Sequence, residues 1–329
     1  MDPDVLAGFQ QSILPSSLIA TGAGALIGLV VGMIPGLTIS SGIIILLPLT
    51  FVLEPNVSIA LLLGLYVAGM TGGSFSAILL NIPGTTSASA TALDGYPLSS
   101  KGQGGRALGV AISASFVGGI ISFFCLLLIA PNLAALALKF HAPDLFSLIF
   151  FGLTAICSFA AKSLIKGLLS AILGLAIVTV GQDPVMATAR FTFGDANLLG
   201  GIHFLTALIG LFAIPQLIDN LKPDAVAEAM RSGSSKFGTV LPQLADLVRI
   251  KIPTLIGSVT GTFLGILPGA GGPIAAFISY DYAKKFSRNK ENFGKGEIEG
   301  VAAPESANNA VAGGALIPMM TLGIPGDPV

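Results

Sequence analysis

The chain has 329 residues, of which 53% are hydrophobic and only 10% are charged, and it contains no Trp. A soluble domain would carry about 25% charged residues, so this composition indicates a protein that lies mostly in lipid. Several apolar runs exceed the roughly 18 residues typical of a spanning helix, and helices satisfy the backbone of such runs most simply. We therefore expect an all-α polytopic membrane protein. The net charge of −1 gives no indication of nucleic-acid binding.

One short pattern occurs twice in the chain. Residues 28–36 read GLVVGMIPG and residues 261–269 read GTFLGILPG, at an offset of 261 − 28 = 233 positions. A second Pro-Gly pair follows each copy, NIPG at 81–84 and GIPG at 323–326, at an offset of 325 − 83 = 242. Two ordered Pro-Gly pairs repeated at nearly one spacing indicate an internal duplication.

The predicted elements of the first half are long apolar stretches interrupted by these pairs. Residues 18–53 form one stretch that is broken at Pro35-Gly36, either as a hairpin that dips to mid-membrane or as two spans. A longer stretch, from Val57 to about Leu98, is broken at 81–84. Four further spans are predicted, at about 107–130, 143–160, 164–181 and 201–218.

A polar loop over 219–252 is predicted to divide the chain. The second copy then opens at Pro253 and breaks at 268–273, and a last apolar run starts near Glu305. We accordingly predict two parts. Residues 1–240 form the first transmembrane repeat with its following spans and loop, and residues 241–329 form the start of a second, incomplete repeat.

The distribution of Lys and Arg predicts an orientation. No basic residue precedes Lys101. If the N-terminus lies outside and each Pro-Gly hairpin returns to its own side, only Lys139 and Arg190 of the 16 basic residues lie outside, as the positive-inside rule favours. The same arrangement places the two copies on opposite faces. It predicts an inverted-topology repeat with Pro-Gly-broken helices or re-entrant hairpins.

Inverted repeats with broken helices are typical of secondary transporters, in which the substrate lies between the halves. A Pro-Gly break frees backbone groups that lipid cannot satisfy, so it persists only beside protein or a wet cavity. The half-helix that begins after a break presents N–H groups, which suit a carboxylate. The half-helix that ends at a break presents carbonyls, which suit Na⁺. Two inverted breaks can thus hold an anion together with a coupling ion, Na⁺ or H⁺.

The candidate substrate site consists of the break residues and the hydroxyl, amide and glycine residues beside them. They are Pro35, Gly36, Thr38, Ser40, Ser41, Asn81, Pro83, Gly84, Thr85, Thr86, Ser87, Pro268, Gly269, Gly271, Gly272, Asn308, Asn309, Pro325 and Gly326. The alternative is that each break only relieves helix packing and that the polar side chains bond between helices. No catalytic residue, metal ligand or organic cofactor is expected, and Cys125 and Cys157 are interpreted as packing residues within apolar runs.

Ionisable groups inside apolar runs are candidates for ion coupling. Asp327 aligns with Thr85 (327 − 85 = 242) and follows a break, so a cation or proton role is predicted. Glu305 is the second candidate, although its position after Pro304 favours an ordinary carboxylate in the first turn of a helix. Asp94 is interpreted as a capping or turn residue.

Four stretches carry a resemblance to a known family. They are GMIPGLTISSG (32–42), GMTGGSFSAILLNIPGTTSASATALDGYPLSSKGQGGRALG (69–109), GILPGAGGPIAAFISYDYAKK (265–285) and PESANNAVAGGALIPMMTLGIPG (304–326). The chain resembles the large membrane subunit of the bacterial tripartite tricarboxylate transporters, the TctA family. The resemblance implies a permease of the inner membrane, with a periplasmic N-terminus in the orientation above. It also implies a small membrane subunit and a periplasmic solute-binding protein that delivers citrate or a related carboxylate, with uptake driven by an ion gradient.

The second half is shorter than this resemblance implies. By repeat symmetry, roughly 150 residues are expected to be absent after residue 329. The alternative function is therefore a non-transporting truncated remnant or assembly fragment of such a permease. A channel is a further alternative, because broken helices also line pores. A membrane enzyme is disfavoured, because the sequence has no H-E-x-x-H motif and no convincing Ser-His or paired-carboxylate constellation.

Overall fold

The computed structural model describes the chain except residues 1–2, 35–36, 138, 140, 142, 145–146, 148–162, 184–187, 203–239, 241, 268–270, 325 and 328–329. The helices of the described part are α1 (Pro3–Ser12), α2 (Pro15–Met33), α3 (Ile39–Thr50), α4 (Pro55–Leu80), α5 (Ala88–Leu98), α6 (Gly104–Ala137), α7 (Leu164–Val178), α8 (Leu244–Ile266), α9 (Gly271–Phe286) and α10 (Ile298–Leu322). A π-helical turn, Ser99–Gln103, joins α5 to α6, and two short strands, β1 (Gly181–Gln182) and β2 (Ala189–Arg190), pair antiparallel.

Within the described part, four helical stretches are long and apolar enough to cross a membrane. They are Pro15–Met33, Pro55–Leu80, Ala88–Ala135 and Leu244–Ile266. The prediction of an all-α polytopic membrane protein is therefore confirmed. The span predicted at 107–130 lies within α6 and the one at 164–181 corresponds to α7. Nearly all of the spans predicted at 143–160 and 201–218 lies outside the described residues.

The helices stop and restart at the predicted breaks. α2 ends at Met33 and α3 begins at Ile39, and α4 ends before Asn81, which adopts a left-handed φ of 58°. α8 ends at Ile266 and α9 begins at Gly271. Of the break residues themselves, Pro35, Gly36, Pro268, Gly269 and Pro325 lie outside the described residues.

The predicted polar loop over 219–252 is wrong from residue 244 onward, where α8 begins. The helix starts with a capping box in which Gln243 and Asp246 satisfy each other's backbone N–H groups. Two of its charges are paired, because Asp246 binds Arg106 and Arg249 Nη2 lies 2.6 Å from Glu297 Oε2. A charged, paired first turn of a helix has the composition of a loop, so composition alone could not separate the two.

Helix α10 occupies the centre of the bundle. Every residue from Ile298 to Ala315 is buried, and α4, α5, α6, α8 and α9 pack around it. The prediction that this run starts near Glu305 is wrong, because Pro304 lies in the helix interior instead of its first turn. In a buried helix, neighbouring elements can satisfy the backbone groups that such a proline frees.

Glycines allow two pairs of helices to approach closely, α2 with α4 and α8 with α10. A Cβ on Gly28 would overlap the carbonyl oxygen of Leu65, and one on Gly261 would overlap that of Ala307. The two glycines lie 233 positions apart in the sequence, and the two residues that supply the carbonyls lie 307 − 65 = 242 positions apart. Both offsets of the duplication therefore recur in these contacts. The opposite orientation of the two copies stays a prediction.

A network of charged contacts joins the two copies at one end of the bundle. Lys101 Nζ donates to the carbonyl oxygen of Lys295, while Arg106 pairs with Asp246 and Arg249 with Glu297. Glu297 precedes α10, and burial raises the pKa of its carboxyl although Arg249 opposes that shift. Basic residues that the sequence assigns to one side of the membrane therefore lie together.

The buried Asp94 carboxylate links α5 to the loop before α10. Its Oδ1 accepts the backbone N–H groups of Gly294 (2.9 Å), Gly296 (2.8 Å) and Glu297 (2.8 Å), and its Oδ2 accepts the Tyr280 hydroxyl at 2.8 Å. Asp94 was predicted to cap or turn its own segment, but it lies inside α5 and instead holds a distant loop.

The glycine contacts lead to a stability prediction. The substitution Gly28→Ala is expected to lower the free energy of unfolding by about 1–3 kcal/mol, because its methyl group forces α2 away from α4. Gly261→Ala, at the equivalent position, is expected to do the same to α8 and α10. The measurement is reversible unfolding in detergent micelles.

The matched control is Gly22→Ala, also on α2, where an added Cβ has nothing within 4 Å. It should be neutral or slightly stabilising, because Ala has the higher helix propensity. Equal losses for Gly22→Ala and Gly28→Ala would show that the close approach of these helices does not determine stability.

Candidate functional site

The hydroxyls after the first break are used within α3. Thr38 caps the helix, its Oγ1 accepting the Ser41 backbone N–H at 3.1 Å and lying 2.7 Å from Ser41 Oγ. Ser40 is half-buried beside them. The structure therefore places this predicted group at a helix cap.

The second break packs on the end of α2. The backbone N–H of Gly84 donates to the carbonyl of Gly73 at 3.1 Å, and a Cβ on Gly84 would overlap the carbonyl oxygen of Gly32. Pro83 is half-buried, whereas Asn81 and Thr86 are exposed. Gly326 repeats this contact in the second copy, since a Cβ there would overlap the carbonyl oxygen of Gly265.

Four predicted residues from both copies meet at one point, which we name the break junction: Ser87, Gly272, Asn308 and Asp327. The backbone N–H of Gly272 donates to Asp327 Oδ2 at 3.2 Å. The position that a Gly272 side chain would occupy lies 2.9 Å from Asn308 Oδ1, 3.4 Å from Ser87 Cβ and 3.6 Å from Ser87 Oγ. Thr85 lies beside them, its Oγ1 3.3 Å from Ser87 Oγ.

The break junction contains a buried acceptor without a partner. Asn308 is 1% exposed, and its Oδ1 has no hydrogen-bond partner among the described residues, while its Nδ2 donates to the Met70 carbonyl at 3.4 Å. An unsatisfied buried polar atom is costly and calls for an explanation, such as a bound group. The first turn of α9, which begins at Gly271 with a φ of 60°, adds the N–H groups and positive dipole of a helix N-terminus.

The two copies differ at this point. The first-copy equivalent of Gly272 is Ile39 (272 − 233), whose side chain packs on Gly69. The two copies therefore differ in the size of the side chain at this position.

Sequence reasoning missed Tyr66. Its hydroxyl is buried next to Asp327, with whose carboxylate it interacts. The signal was present in the repeat, because Tyr66 is the equivalent of Asn308 (308 − 242).

A second polar cluster, which we name the hydroxyl pocket, lies one turn along α10 and consists of Ser74, Thr91, Ser115 and Glu305. Ser74 Oγ and Thr91 Oγ1 each donate to Glu305 Oε1 at 2.5 Å, and Ser115 Oγ donates to Oε2 at 3.1 Å. Glu305 is completely buried. Asn309, predicted at the substrate site, instead donates to Ser115 Oγ at 2.8 Å. Glu305 is thus not the ordinary first-turn carboxylate that Pro304 favoured.

Comparison with known proteins identifies the family. The chain matches the sequence profile described as the Tripartite tricarboxylate transporter TctA family over residues 18–329. An uncharacterized 52.8 kDa protein in the TAR-I ttuC' 3'region of Agrobacterium vitis is 41% identical over 322 residues, which is 98% of this chain and 64% of the relative.

A second Agrobacterium vitis relative, an uncharacterized protein in the TAR-II ttuC' 3'region, is 56% identical over 69 residues, 21% of this chain and 28% of the relative. The chain thus spans less than two thirds of the length of either relative. No solved structure matches it. The profile match over nearly the whole sequence, on a bundle with membrane-spanning helices, shows that this chain belongs to the TctA family of membrane transporters.

Proposed function

We propose that this chain is the permease subunit of a binding-protein-dependent secondary transporter that takes up citrate or related tricarboxylates and dicarboxylates, driven by an ion gradient. Its partners are a small membrane subunit and a periplasmic solute-binding protein. Membership of a tripartite transporter family supports the partners and the carboxylate class. The observation that carries the site is the break junction, where the broken helices of both copies meet around a partnerless amide oxygen.

The chemistry of the junction suits a carboxylate with an accompanying ion. The N-terminus of α9 and the Ser87 hydroxyl supply donors for an anionic oxygen, and Asn308 Oδ1 supplies an acceptor for the accompanying ion. Asp327 would repel that anion unless a cation or proton accompanies it, so the same residue supplies the ion requirement. We assign substrate binding to the junction and ion coupling to Asp327 and Glu305.

We place the protein in the bacterial inner membrane with its N-terminus in the periplasm. The charged end of the bundle supports this orientation, because Lys101, Arg106, Arg249 and Lys295 lie together there. Such a concentration of basic residues is typical of a cytoplasmic face.

The proposal predicts saturable uptake of labelled citrate into vesicles that contain this chain and its small subunit. Uptake should require both an ion gradient and the solute-binding protein. Uptake that persists without the binding protein would contradict the proposal, and flux that does not saturate would indicate a channel. Uptake by a version extended to the length of the relatives, but not by this chain, would indicate a non-transporting fragment.

The break junction gives a more local prediction. Gly272→Ala places a methyl group 2.9 Å from Asn308 Oδ1 and should reduce uptake at low substrate concentration about tenfold, the effect of losing roughly one hydrogen bond to a charged group. The matched control is Gly119→Ala on α6, where an added Cβ has nothing within 4 Å. Equal uptake by both variants, at equal amounts in the membrane, would remove the junction from the substrate site.

A further inference from the structure

We propose that the hydroxyl pocket is a proton-binding site, in which Glu305 takes up and releases a proton during the transport cycle, so that the coupling ion is H⁺. The coupling role of Glu305 rests on the proposed transport function. The binding site itself follows from the contacts of the pocket.

The hydroxyls of the pocket converge on one carboxylate from three different helices. Several other helical Ser and Thr hydroxyls bond their own helix, as Ser113 does to the Gly109 carbonyl and Thr262 to the Ser258 carbonyl, each at 2.8 Å. Ser74 on α4, Thr91 on α5 and Ser115 on α6 instead donate across to Glu305. The carboxyl group therefore determines how these three helices meet.

Two opposing effects act on the protonation of this carboxyl. Complete burial favours the neutral acid, because a charge without a countercharge is costly away from water. Three hydroxyl donors favour the carboxylate, because they hydrogen-bond its charged form. The pocket is therefore built to hold either form.

A single hydroxyl rotation accommodates both forms. In the carboxylate form, Ser115 donates to Glu305 Oε2 at 3.1 Å. In the acid form, Oε2–H donates to Ser115 Oγ, whose own hydrogen turns to the Glu305 backbone carbonyl, 3.5 Å away. Ser115 Oγ keeps the Asn309 amide as a donor, and Oε1 keeps Ser74 and Thr91, in both forms.

The spacing of the pocket fits a proton better than a metal ion. Each carboxylate oxygen already lies 2.5–3.1 Å from the hydroxyl oxygens, which is the separation of two oxygens that share a hydrogen. An ion between these oxygens would have to push them apart. The pocket as found therefore has room for a hydrogen on Oε2 but not for Na⁺.

Several of the other ionisable groups on the surrounding helices are paired with one another. On the elements packed against α10 these side chains are Tyr66 (α4), Asp94 and Tyr96 (α5), Arg106 and Cys125 (α6), Asp246, Arg249 and Lys251 (α8), and Tyr280, Asp281, Tyr282, Lys284 and Lys285 (α9); α10 itself and its cap carry Glu297 and Glu299. Arg106 pairs with Asp246, Arg249 with Glu297, and Tyr280 with Asp94. Within the described part, no basic side chain forms an ion pair with Glu305.

The pocket is linked to the break junction through α10. Asn308, which faces the junction, lies three residues from Glu305, about one helical turn away. Asn309 contacts the Ser115 hydroxyl that rotates between the two forms. A change in the protonation of Glu305 is therefore transmitted over a few ångströms to the substrate site.

The test measures protonation directly. Infrared difference spectra of the purified chain in lipid, recorded across a pH series, should show the C=O band of a protonated carboxyl that disappears on alkalinisation. The Glu305→Gln variant should lack this band, whereas Glu291→Gln, which changes an exposed carboxylate, should retain it. Persistence of the band in Glu305→Gln, or no titrating carboxyl band in the unaltered chain, would overturn the site.

Transport then tests the coupling. With the partner subunits present, a proton gradient should drive accumulation by the unaltered chain, and Glu305→Gln should lose that accumulation while still exchanging labelled for unlabelled citrate. A sodium gradient that alone drives full accumulation would overturn H⁺ as the coupling ion without affecting the infrared result. Absence of any carboxylate uptake by the unaltered chain would contradict the proposed function instead.

If Glu305→Gln does not fold, Ser115→Ala takes its place. Removing this hydroxyl eliminates the rotation that serves both forms, so the pH at which the band disappears should change. An unchanged titration would overturn the mechanism.

Discussion

A carboxylate and two amides lie on α10 in the middle of an apolar bundle, and the packing around that helix follows from them. Buried polar groups must find partners, because lipid offers none. Three helices bring hydroxyls to Glu305, and the nearby helix pairs approach closely enough to do so because glycine faces backbone at their contacts. Small residues and polar side chains thus act together, as is typical of helix association in membranes.

The breaks were predictable, whereas the centre of the bundle was not. Proline and glycine act on their own backbone, so Pro-Gly pairs predict where helices stop without knowledge of their neighbours. Glu305 could not be placed in the same way, because its partners Ser74, Thr91 and Ser115 lie 231, 214 and 190 residues away along the chain. Pro304 also misled, since proline favours a first helical turn but is tolerated inside a buried helix.

The candidate site was predicted in part for a related reason. The repeat offsets drew attention to Asp327 and to the residues after each break, and the structure brings three of these, Ser87, Gly272 and Asp327, together with Asn308 at the break junction. Identical patterns did not imply identical environments, however. Thr38 and Ser41 form a helix cap, and Ile39 stands where the second copy has Gly272, so the duplicated sequence has produced two different environments.

The contacts of Asp94 have a consequence for movement. Hydrogen bonds to a charged group contribute about 1.5–3 kcal/mol each, and this carboxylate accepts three backbone N–H groups and a hydroxyl from the second copy while belonging to the first. These contacts hold helix α5 and the loop before α10 together. If this protein alternates between two states while these contacts are kept, the boundary between its moving bodies differs from the boundary between the two copies. Each moving body then contains parts of both copies.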